Sequence, residues 1–407
     1  MTVVEFFACA PIENMVSCFM LHPDKVIFVG GGRKARRRLY AYEQLALRMG
    51  INATFEHRAV AVDSINDIVE CLTDIINTEE ACCFDLTGGD DLALVAMGIV
   101  YERYKDTHNL QMQRYNFNSR RMADCDGDGA TEVKMPFPNL TVAENVSLHG
   151  GIINHGIRAD SLVNREDVKA AWRICRSAPV AWNKNTALLS DFLGFAKLHN
   201  NGLNVTVADA DGRARYGDYN RKRGYVLKFL RSLEEAGLVL KLREIKDSFS
   251  FEFKNGTVKK LVSKSGNALE HKILDIVSSM KDNQGKNVFS DSVCGAVVDW
   301  DGVTAKDGAS FGGAVNEVDV IAMKGITPVF ISCKNGGVDD SELYKLNAVA
   351  ERFGNKYAKK LLIASGLNKT GQGLMYFKER ARELNILVVD NAHKLSDKDI
   401  QKILLKI

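Results

Sequence analysis

Residues 315–336 read VNEVDVIAMKGITPVFISCKNG and set two carboxylates and a lysine into an otherwise apolar hairpin. Charge on a half-buried strand costs free energy unless it is paired or binds something. With Met323 paired to Pro328 around Lys324-Gly325-Ile326-Thr327, antiparallel register sets Asp319 opposite Ser332 and Glu317 opposite Lys334. Those four polar groups share one face. Val318, Val320, Ala322, Val329, Ile331 and Cys333 form the other, an apolar face suited to a core. Upstream, SGNALEHKILDIVSSM predicts a helix with Leu269, Ile273 and Val277 at four-residue spacing and Glu270 beside that stripe near its start. A glutamate on a helix, an acid on a strand and a lysine on the next strand are the plan of a metal-dependent phosphodiesterase. Carboxylate oxygens hold Mg²⁺ or Mn²⁺, the ion lowers the pKa of a bound water, and the lysine steadies the nucleophile or the developing charge. The alternative reading of Glu317 and Lys334 is a cross-strand ion pair worth about 0.2–1 kcal/mol. Glu342 and Lys345 on the following helix are either phosphate contacts or a solvated face. Asp299 and Asp301 in VVDWDG either add ligands or end a strand in a turn.

The elements around this hairpin begin with a regular N-terminal third. Strand-like runs (VVEFFACA, KVIFVGGG, NATFEHRAV, ACCFDLTGGDD) alternate with helical ones (RLYAYEQLALRMG, INDIVECLTDII, ALVAMGIVYERY). That alternation predicts a parallel sheet with helices on both faces and a ligand crevice at the carboxyl ends of its strands. Three loops fall there: Cys9 to Asn14, Gly30-Gly31-Gly32 before Arg33, and Thr87-Gly88-Gly89-Asp90-Asp91. Glycines admit close backbone approach and helix N-termini favour negative charge, so a phosphorylated ligand suits them. Neither G-x-G-x-x-G nor G-x-x-x-x-G-K-[ST] is present, which removes dinucleotide and Walker-type motifs. Arg33, Lys34, Arg36, Arg37 and Arg38 open a helix against its dipole, as a solvated face or as phosphate contacts.

The chain has 407 residues, 46% hydrophobic and 26% charged, which bounds it to two or three globular domains. No apolar run nears the roughly 18–20 residues of a membrane span, and the N-terminus lacks a basic region followed by an apolar stretch. A cytoplasmic protein without a membrane partner is expected. Nine cysteines contain no C-x-x-C, so buried reduced thiols are expected rather than a zinc site or disulfides. The net charge of +3 neither requires nor excludes nucleic acid. Asp124, Asp126 and Asp128 match part of a calcium loop only, so a polar surface loop is expected there. From about 165 to 262, helices lead into SFSFEFKNGTVKKLV. Phe249, Phe251 and Phe253 alternate onto one face, and Asn255-Gly256 suits a two-residue turn, which together predict a winged-helix-like unit.

The N-terminal strand with its APIEN loop, and FDLTGGDDLALVAMG with its T-G-G turn, resemble the CARF domain. That is the Rossmann-like sensor of CRISPR-associated effectors, which binds cyclic oligoadenylate across a homodimer. The family often places a threonine or serine and then a lysine after the glycines, where this chain has Asp90 and Asp91. The resemblance implies ligand contacts from Ala10, Pro11, Asn14, Gly31, Gly32, Arg33, Thr87, Gly88, Gly89 and Asp90. Glu270 followed by NEVDVIAMKGITPVFISCKNG resembles the PD-(D/E)xK nuclease core, with ELYKLNAVAERFGNKYAKKLLIASG and ERARELNILVVD as its remaining helix and strands. This implies Asp319 as the strand acid and Lys334 as the lysine. Ser332 stands where the usual second acid would be, leaving Glu317, Glu270 or the Cys333 carbonyl to complete the coordination.

The fold expected is therefore α/β throughout: a Rossmann-like CARF domain (1–155), a winged-helix-like connector (156–262) and an α/β PD-(D/E)xK core (263–407). The function implied is that of a homodimeric, Mg²⁺- or Mn²⁺-dependent endonuclease of type III CRISPR immunity. Cyclic tetra-adenylate would activate it, and single-stranded DNA, RNA or supercoiled DNA would be its substrate. A catalytic set of Glu270, Asp319 and Lys334 follows, with metal ligands Glu270, Asp319 and Cys333. The alternatives are a nucleotide-responsive transcription regulator and a restriction or repair nuclease without a sensor.

Overall fold

Runs such as TVVEF, KVIFV and CCFD carry β-branched and aromatic residues with almost no exposure, and they become the central strands of the N-terminal unit. The computed structural model describes every residue except Cys9, Asn118, Arg120, 126–130, 134–138, 159–163 and 301–314. The chain forms two compact units, the first built mainly from Met1–Ile152 and the second from Ile153–Val298, Val315–Arg352 and Tyr357–Ile407. The first contains, in order, β1 (Thr2–Phe6), α1 (Val16–Leu21), β2 (Lys25–Val29), α2 (Gly32–Arg48), β3 (Thr54–Arg58), α3 (Ile65–Thr78), β4 (Cys82–Asp85), α4 (Asp91–Tyr104), β5 (Leu110–Asn116), β6 (Arg121–Asp124), β7 (Thr131–Val133) and α5 (Val142–Leu148).

Its sheet runs β3-β2-β1-β4-β5-β6-β7, with parallel pairing from β3 to β5 and antiparallel pairing beyond. Val4, Phe6, Ile27, Val29 and Phe84 form one face under Ile68, Leu72, Ala96 and Met97 of α3 and α4. On the other face Phe28 meets Tyr42 of α2, ring centroids 5.6 Å apart. Strand order reverses between β1 and β4, so the loops leaving them diverge and open the crevice where α/β sheets bind ligands. Of the partial calcium motif, Asp124 ends β6, and Asp126 and Asp128 lie outside the described residues.

The second unit contains β8 (Ile152–Arg158), α6 (Arg165–Ser177), α7 (Pro179–Leu193), β9 (Lys197–His199), β10 (Asn204–Ala208), α8 (Asp209–Arg215), α9 (Tyr219–Glu235), β11 (Val239–Ile245), β12 (Ser248–Phe253), α10 (Gly256–Ser263), α11 (Asn267–Ser279), β13 (Asp291–Asp299), β14 (Val315–Lys324), β15 (Thr327–Lys334), α12 (Ser341–Gly354), β16 (Lys359–Ala364), α13 (Gly371–Glu383), β17 (Ile386–Val389) and α14 (Asp397–Leu405). A four-stranded sheet β11-β12-β10-β9 and a six-stranded sheet β17-β16-β15-β14-β13-β8 share one continuous core. In it Trp182, Phe229 and Phe253 join Leu269, Ile273, Val320, Ile331 and Cys333. Residues 156–262 and 263–407 thus lie together in this unit.

Phe249, Phe251 and Phe253 do form one buried strand face. The Asn255-Gly256 turn does not form: Asn255 caps α10, its side chain accepting from Val258 N at 2.9 Å, so the pair starts a helix. The two-residue connection falls instead at Lys246-Asp247, where Asp247 takes the left-handed conformation at φ 65°. The eight described cysteines are all free thiols. No helix among the described residues is long and apolar enough to cross a membrane.

Candidate functional site

Two sites are built from the residues the sequence singles out, one in each unit. In the second unit the hairpin register pairs Met323 with Pro328 and Val320 with Ile331, and α11 packs over the apolar face as its stripe requires. Asp319 therefore stands within β14 one step beyond the Val320–Ile331 pair, facing Ser332. Its Oδ2 accepts from the Cys333 backbone N at 2.7 Å, from Ser332 Oγ at 3.1 Å and from Lys334 Nζ at 3.3 Å. Lys334 also reaches Glu342 Oε2 of α12 at 3.0 Å, and Glu342 holds Lys345 at 2.7 Å. Glu317 pairs with Lys264 at 3.0 Å instead of with Lys334, so the expected cross-strand ion pair gives way to Lys264–Glu317, Lys334–Asp319 and Lys334–Glu342.

Burial alone would pull the Lys334 ammonium down. The charges of Asp319 and Glu342 outweigh it and hold the group above its ordinary range, so it stays cationic at neutral pH. Glu270, 5% exposed, accepts no hydrogen bond among the described residues. Burial, reinforced by the charge of Asp319, pushes its carboxyl from 4.5 up to about 7. It lines a hollow with Lys264, His271, Cys294 and Glu317, whereas Asp319, Ser332, Lys334, Glu342 and Lys345 line a cavity of about 80 Å³. That space holds several waters or a hydrated ion and is far too small to enclose a nucleotide.

The donor chemistry suits a hard divalent cation: the Asp319 and Glu270 carboxylates and the Cys333 carbonyl would offer it oxygen donors, and Glu270 is a buried acid that accepts no hydrogen bond among the described residues. No group of three ligating side chains close enough to hold a metal as they stand occurs among the described residues. Lys334 occupies the space between Asp319 and Glu342. Sequence reasoning weighed Glu342 only as a phosphate contact or a solvated face, yet its carboxylate comes to Lys334 beside the short Ser332. Asp299 ends β13, buried, and Asp301 lies outside the described residues.

In the first unit the expected loops meet at the reversal of strand order. After β1, Ala10, Pro11 and Asn14 are buried, and Asn14 folds the loop on itself: Oδ1 accepts from Ala8 N at 2.7 Å, and Nδ2 donates to Ala8 O at 3.1 Å and Tyr42 Oη at 3.0 Å. After β4, Thr87 N donates to Asp85 Oδ1 at 2.8 Å, Thr87 Oγ1 accepts from Tyr115 N, and Asp90 caps α4 by accepting from Ala93 N at 2.9 Å. Gly88 touches the first loop, since a Cβ there would lie 2.9 Å from the Ala8 Cβ. Gly31 has φ +74° and a Cβ would sit 2.5 Å from the Phe7 ring, so only glycine fits. Gly31, Gly32, Arg33, Gly89 and Asp90 are exposed, and α2 begins without a side-chain cap. Their rim combines open helix N–H groups with a guanidinium, which suits an anion.

Beneath these loops lies a feature the sequence reading passed over. Glu5 and Asp85 are register partners on β1 and β4, and both are fully buried. Asp85 Oδ2 accepts from Ser17 Oγ of α1. Burial pushes Asp85 up to about 6, and burial together with the charge of Asp85 holds Glu5 well above the carboxylate range. The signal was present, because an acid inside VVEFF or CCFDL interrupts a buried strand just as Asp319 does.

No protein-family model matches this sequence, and no curated protein matches it. Solved structures share its fold. It aligns with protein VC1899 from Vibrio cholerae at a TM-score of 0.71 and 15% identity, covering 100% of this chain and 97% of that one. With Can2 from Sulfobacillus thermosulfidooxidans, solved in complex with cyclic tetra-adenylate, the TM-score is 0.66 at 14% identity, covering 100% and 98%. A type III CRISPR defence DNA nuclease activated by cyclic oligoadenylate aligns at 0.50 and 12% identity, over 90% of this chain and 45% of that one. The mixed α/β architecture of this chain, from end to end, is therefore one that a cyclic tetra-adenylate-binding protein also adopts.

Proposed function

We propose that the protein is a nuclease of type III CRISPR defence, switched on by cyclic oligoadenylate bound in the first unit of a homodimer and cutting nucleic acid in the second. The observation that carries the reading is the Asp319–Lys334–Glu342 arrangement with the unpartnered Glu270 nearby, in a chain sharing its full-length fold with a cyclic tetra-adenylate complex.

Glu270, Asp319 and the Cys333 carbonyl would hold a Mg²⁺ or Mn²⁺ ion, which when bound supplies an activated water and charge stabilisation at phosphate. The chain's own contribution is positional and electrostatic. The Cys333 amide and the Ser332 hydroxyl fix the Asp319 carboxylate by donating to one of its oxygens. Lys334 keeps its proton, so it stabilises negative charge developing on the scissile phosphate rather than accepting a proton. Glu342 keeps that ammonium from folding wholly onto Asp319. In the sensor unit the rim of Gly31, Gly32, Arg33, Gly89 and Asp90, above the loops of Ala10, Pro11, Asn14, Thr87 and Gly88, would take the ligand's phosphates. Two such rims on a two-fold axis suit a cyclic tetranucleotide. The ligand activates only by binding the active arrangement more tightly than the resting one.

The test is cleavage of supercoiled plasmid and of labelled single-stranded DNA and RNA with Mn²⁺ or Mg²⁺, with and without cyclic tetra-adenylate, beside Asp319→Ala and Lys334→Ala. Ligand-dependent cleavage lost in both variants is expected. Cleavage independent of the ligand would remove the sensor role, and binding of ligand and duplex DNA without any cleavage would make the protein a regulator.

A further inference from the structure

Two consecutive residues of α7, a helix of the expected connector, reach both halves of the nuclease site. Trp182 Nε1 donates to the Ser265 carbonyl at 3.2 Å, within the Lys264-Ser265-Gly266 turn that leads into α11. Lys264 of this turn carries the ion pair to Glu317, and Gly266 lies so near Glu270 that a Cβ there would come 2.6 Å from its Oε1. One residue along the helix, Asn183 exchanges two hydrogen bonds with Asn335. Its Nδ2 donates to the Asn335 backbone carbonyl, and its Oδ1 accepts from Asn335 Nδ2 at 2.8 Å.

Asn335 directly follows Lys334 and is 6% exposed. Its remaining side-chain bonds are also taken: Oδ1 accepts from Ser365 Oγ at 2.6 Å, and Nδ2 reaches Cys175 Sγ of α6 at 3.2 Å. The Lys334 carbonyl accepts from Ser365 N at 2.9 Å. The end of β15 is therefore pinned by fully used hydrogen-bonding groups, and of the two pins that come from neighbouring helices, Cys175 of α6 and Asn183 of α7, Asn183 is the one that makes two hydrogen bonds. Trp182 is itself fixed, 2% exposed and edge-on to Phe229 of α9 at 5.5 Å.

We propose that Trp182 and Asn183 form a bracket that sets the separation between the Glu270 turn and the Lys334 strand end, which makes them positioning residues for cleavage. The proposal rests on the nuclease reading. Neither residue lines the cavity at Asp319, so both act through the groups they hold. An ångström of misplacement at a reacting centre costs up to about 100-fold in rate, which gives such a bracket its leverage. The same helix is then a handle: whatever shifts α7 changes the geometry at both ends together.

The experiment uses the full chain with Asn183→Ala, Trp182→Phe and the double variant. Phenylalanine keeps an aromatic ring beside Phe229 and removes the N–H donor together with the volume of the pyrrole ring, so the exchange at the untouched 334–338 segment is the readout that separates the bracket from local loosening. Cleavage of labelled single-stranded DNA and plasmid should show kcat at least tenfold lower in each single variant with KM unchanged. The double variant should fall no further than the worse single one, since either break already opens the bracket. Amide hydrogen exchange should rise at both 264–270 and 334–338 in each single variant, including the segment that the substituted residue does not touch. Exchange confined to the touched segment, unchanged kcat, or losses that simply add would overturn the bracket. If the wild type and Asp319→Ala both fail to cleave, the nuclease reading falls, and the hydrogen-exchange result alone decides the bracket.

Discussion

Replacing Glu270 with glutamine should make the metal-free protein more stable, and increasingly so as the pH rises. The carboxyl is 5% exposed and accepts no hydrogen bond among the described residues, and its pKa is pushed from 4.5 to about 7, first by burial and then by Asp319. A folded-state pKa above the unfolded one means that the folded form holds the proton more tightly. The associated stability is fully present below about 4.5 and is lost as the pH rises through about 7. At about 1.4 kcal/mol per pH unit, the loss is on the order of 3 kcal/mol by pH 8. Glutamine carries no such penalty, so Glu270→Gln should gain about 1 kcal/mol over wild type at pH 5 and about 3 at pH 8. Denaturant unfolding in EDTA, followed by tryptophan fluorescence in a Trp300→Phe background so that Trp172 and Trp182 of the second unit report, measures this from pH 5 to 8. Added Mn²⁺ should then stabilise wild type by about 2.7 kcal/mol at one hundred times its Kd and leave the variant almost unchanged. A variant less stable than wild type at pH 8, or an advantage that does not grow with pH, would refute both the unpartnered burial and the reason for assigning Glu270 to a cation.

Glu342→Gln removes one of the two carboxylates that hold Lys334, so cleavage should fall about 10- to 100-fold with plasmid binding unchanged; Ser332→Glu in the same chain should restore part of it by returning an acid beside Asp319. In the first unit Glu5→Gln should flatten the pH dependence of stability. Wild type loses stability as the pH rises through about 6, where the raised Asp85 carboxyl releases its proton, and Glu5, held well above the carboxylate range by burial and then by the Asp85 charge, adds a further loss that the variant lacks, as thermal unfolding from pH 5 to 8 would record. Gly31→Ala would place a Cβ 2.5 Å from the Phe7 ring at φ +74°, costing about 1–3 kcal/mol in the first unit and, on the proposed function, weakening binding of labelled cyclic tetra-adenylate.

Period and register were readable because the local signals agreed with the fold. The alternating elements up to residue 105 other than the short α1, the Met323–Pro328 pairing and the stripe of α11 follow from side-chain periodicity. Asn255-Gly256 was misread because asparagine serves helix caps as well as turns, and Val258 offered the N–H that decided between them. Partners distant in sequence left no periodic trace: Lys264 with Glu317, Asn183 with Asn335 and Glu342 with Lys334 are set by packing. Glu5 and Asp85 were legible in principle. The rule that exposes Asp319, a charge interrupting a buried strand, was not carried back to β1 and β4.

The placement of β8 bears on how this architecture can be taken apart. The strand at one edge of the six-stranded sheet comes from residues 152–158, ahead of the whole α6–α10 segment, and a Cβ on Gly156 would collide with Val293 of β13. Residues 263–407 are therefore not a self-sufficient cassette. A fragment begun at residue 263 would expose the bare flank of β13, an invitation to pair with another molecule, and would shed the aromatic core lent by Trp182 and Phe229. Trimming the chain to its second unit therefore has to begin ahead of β8 rather than at residue 263.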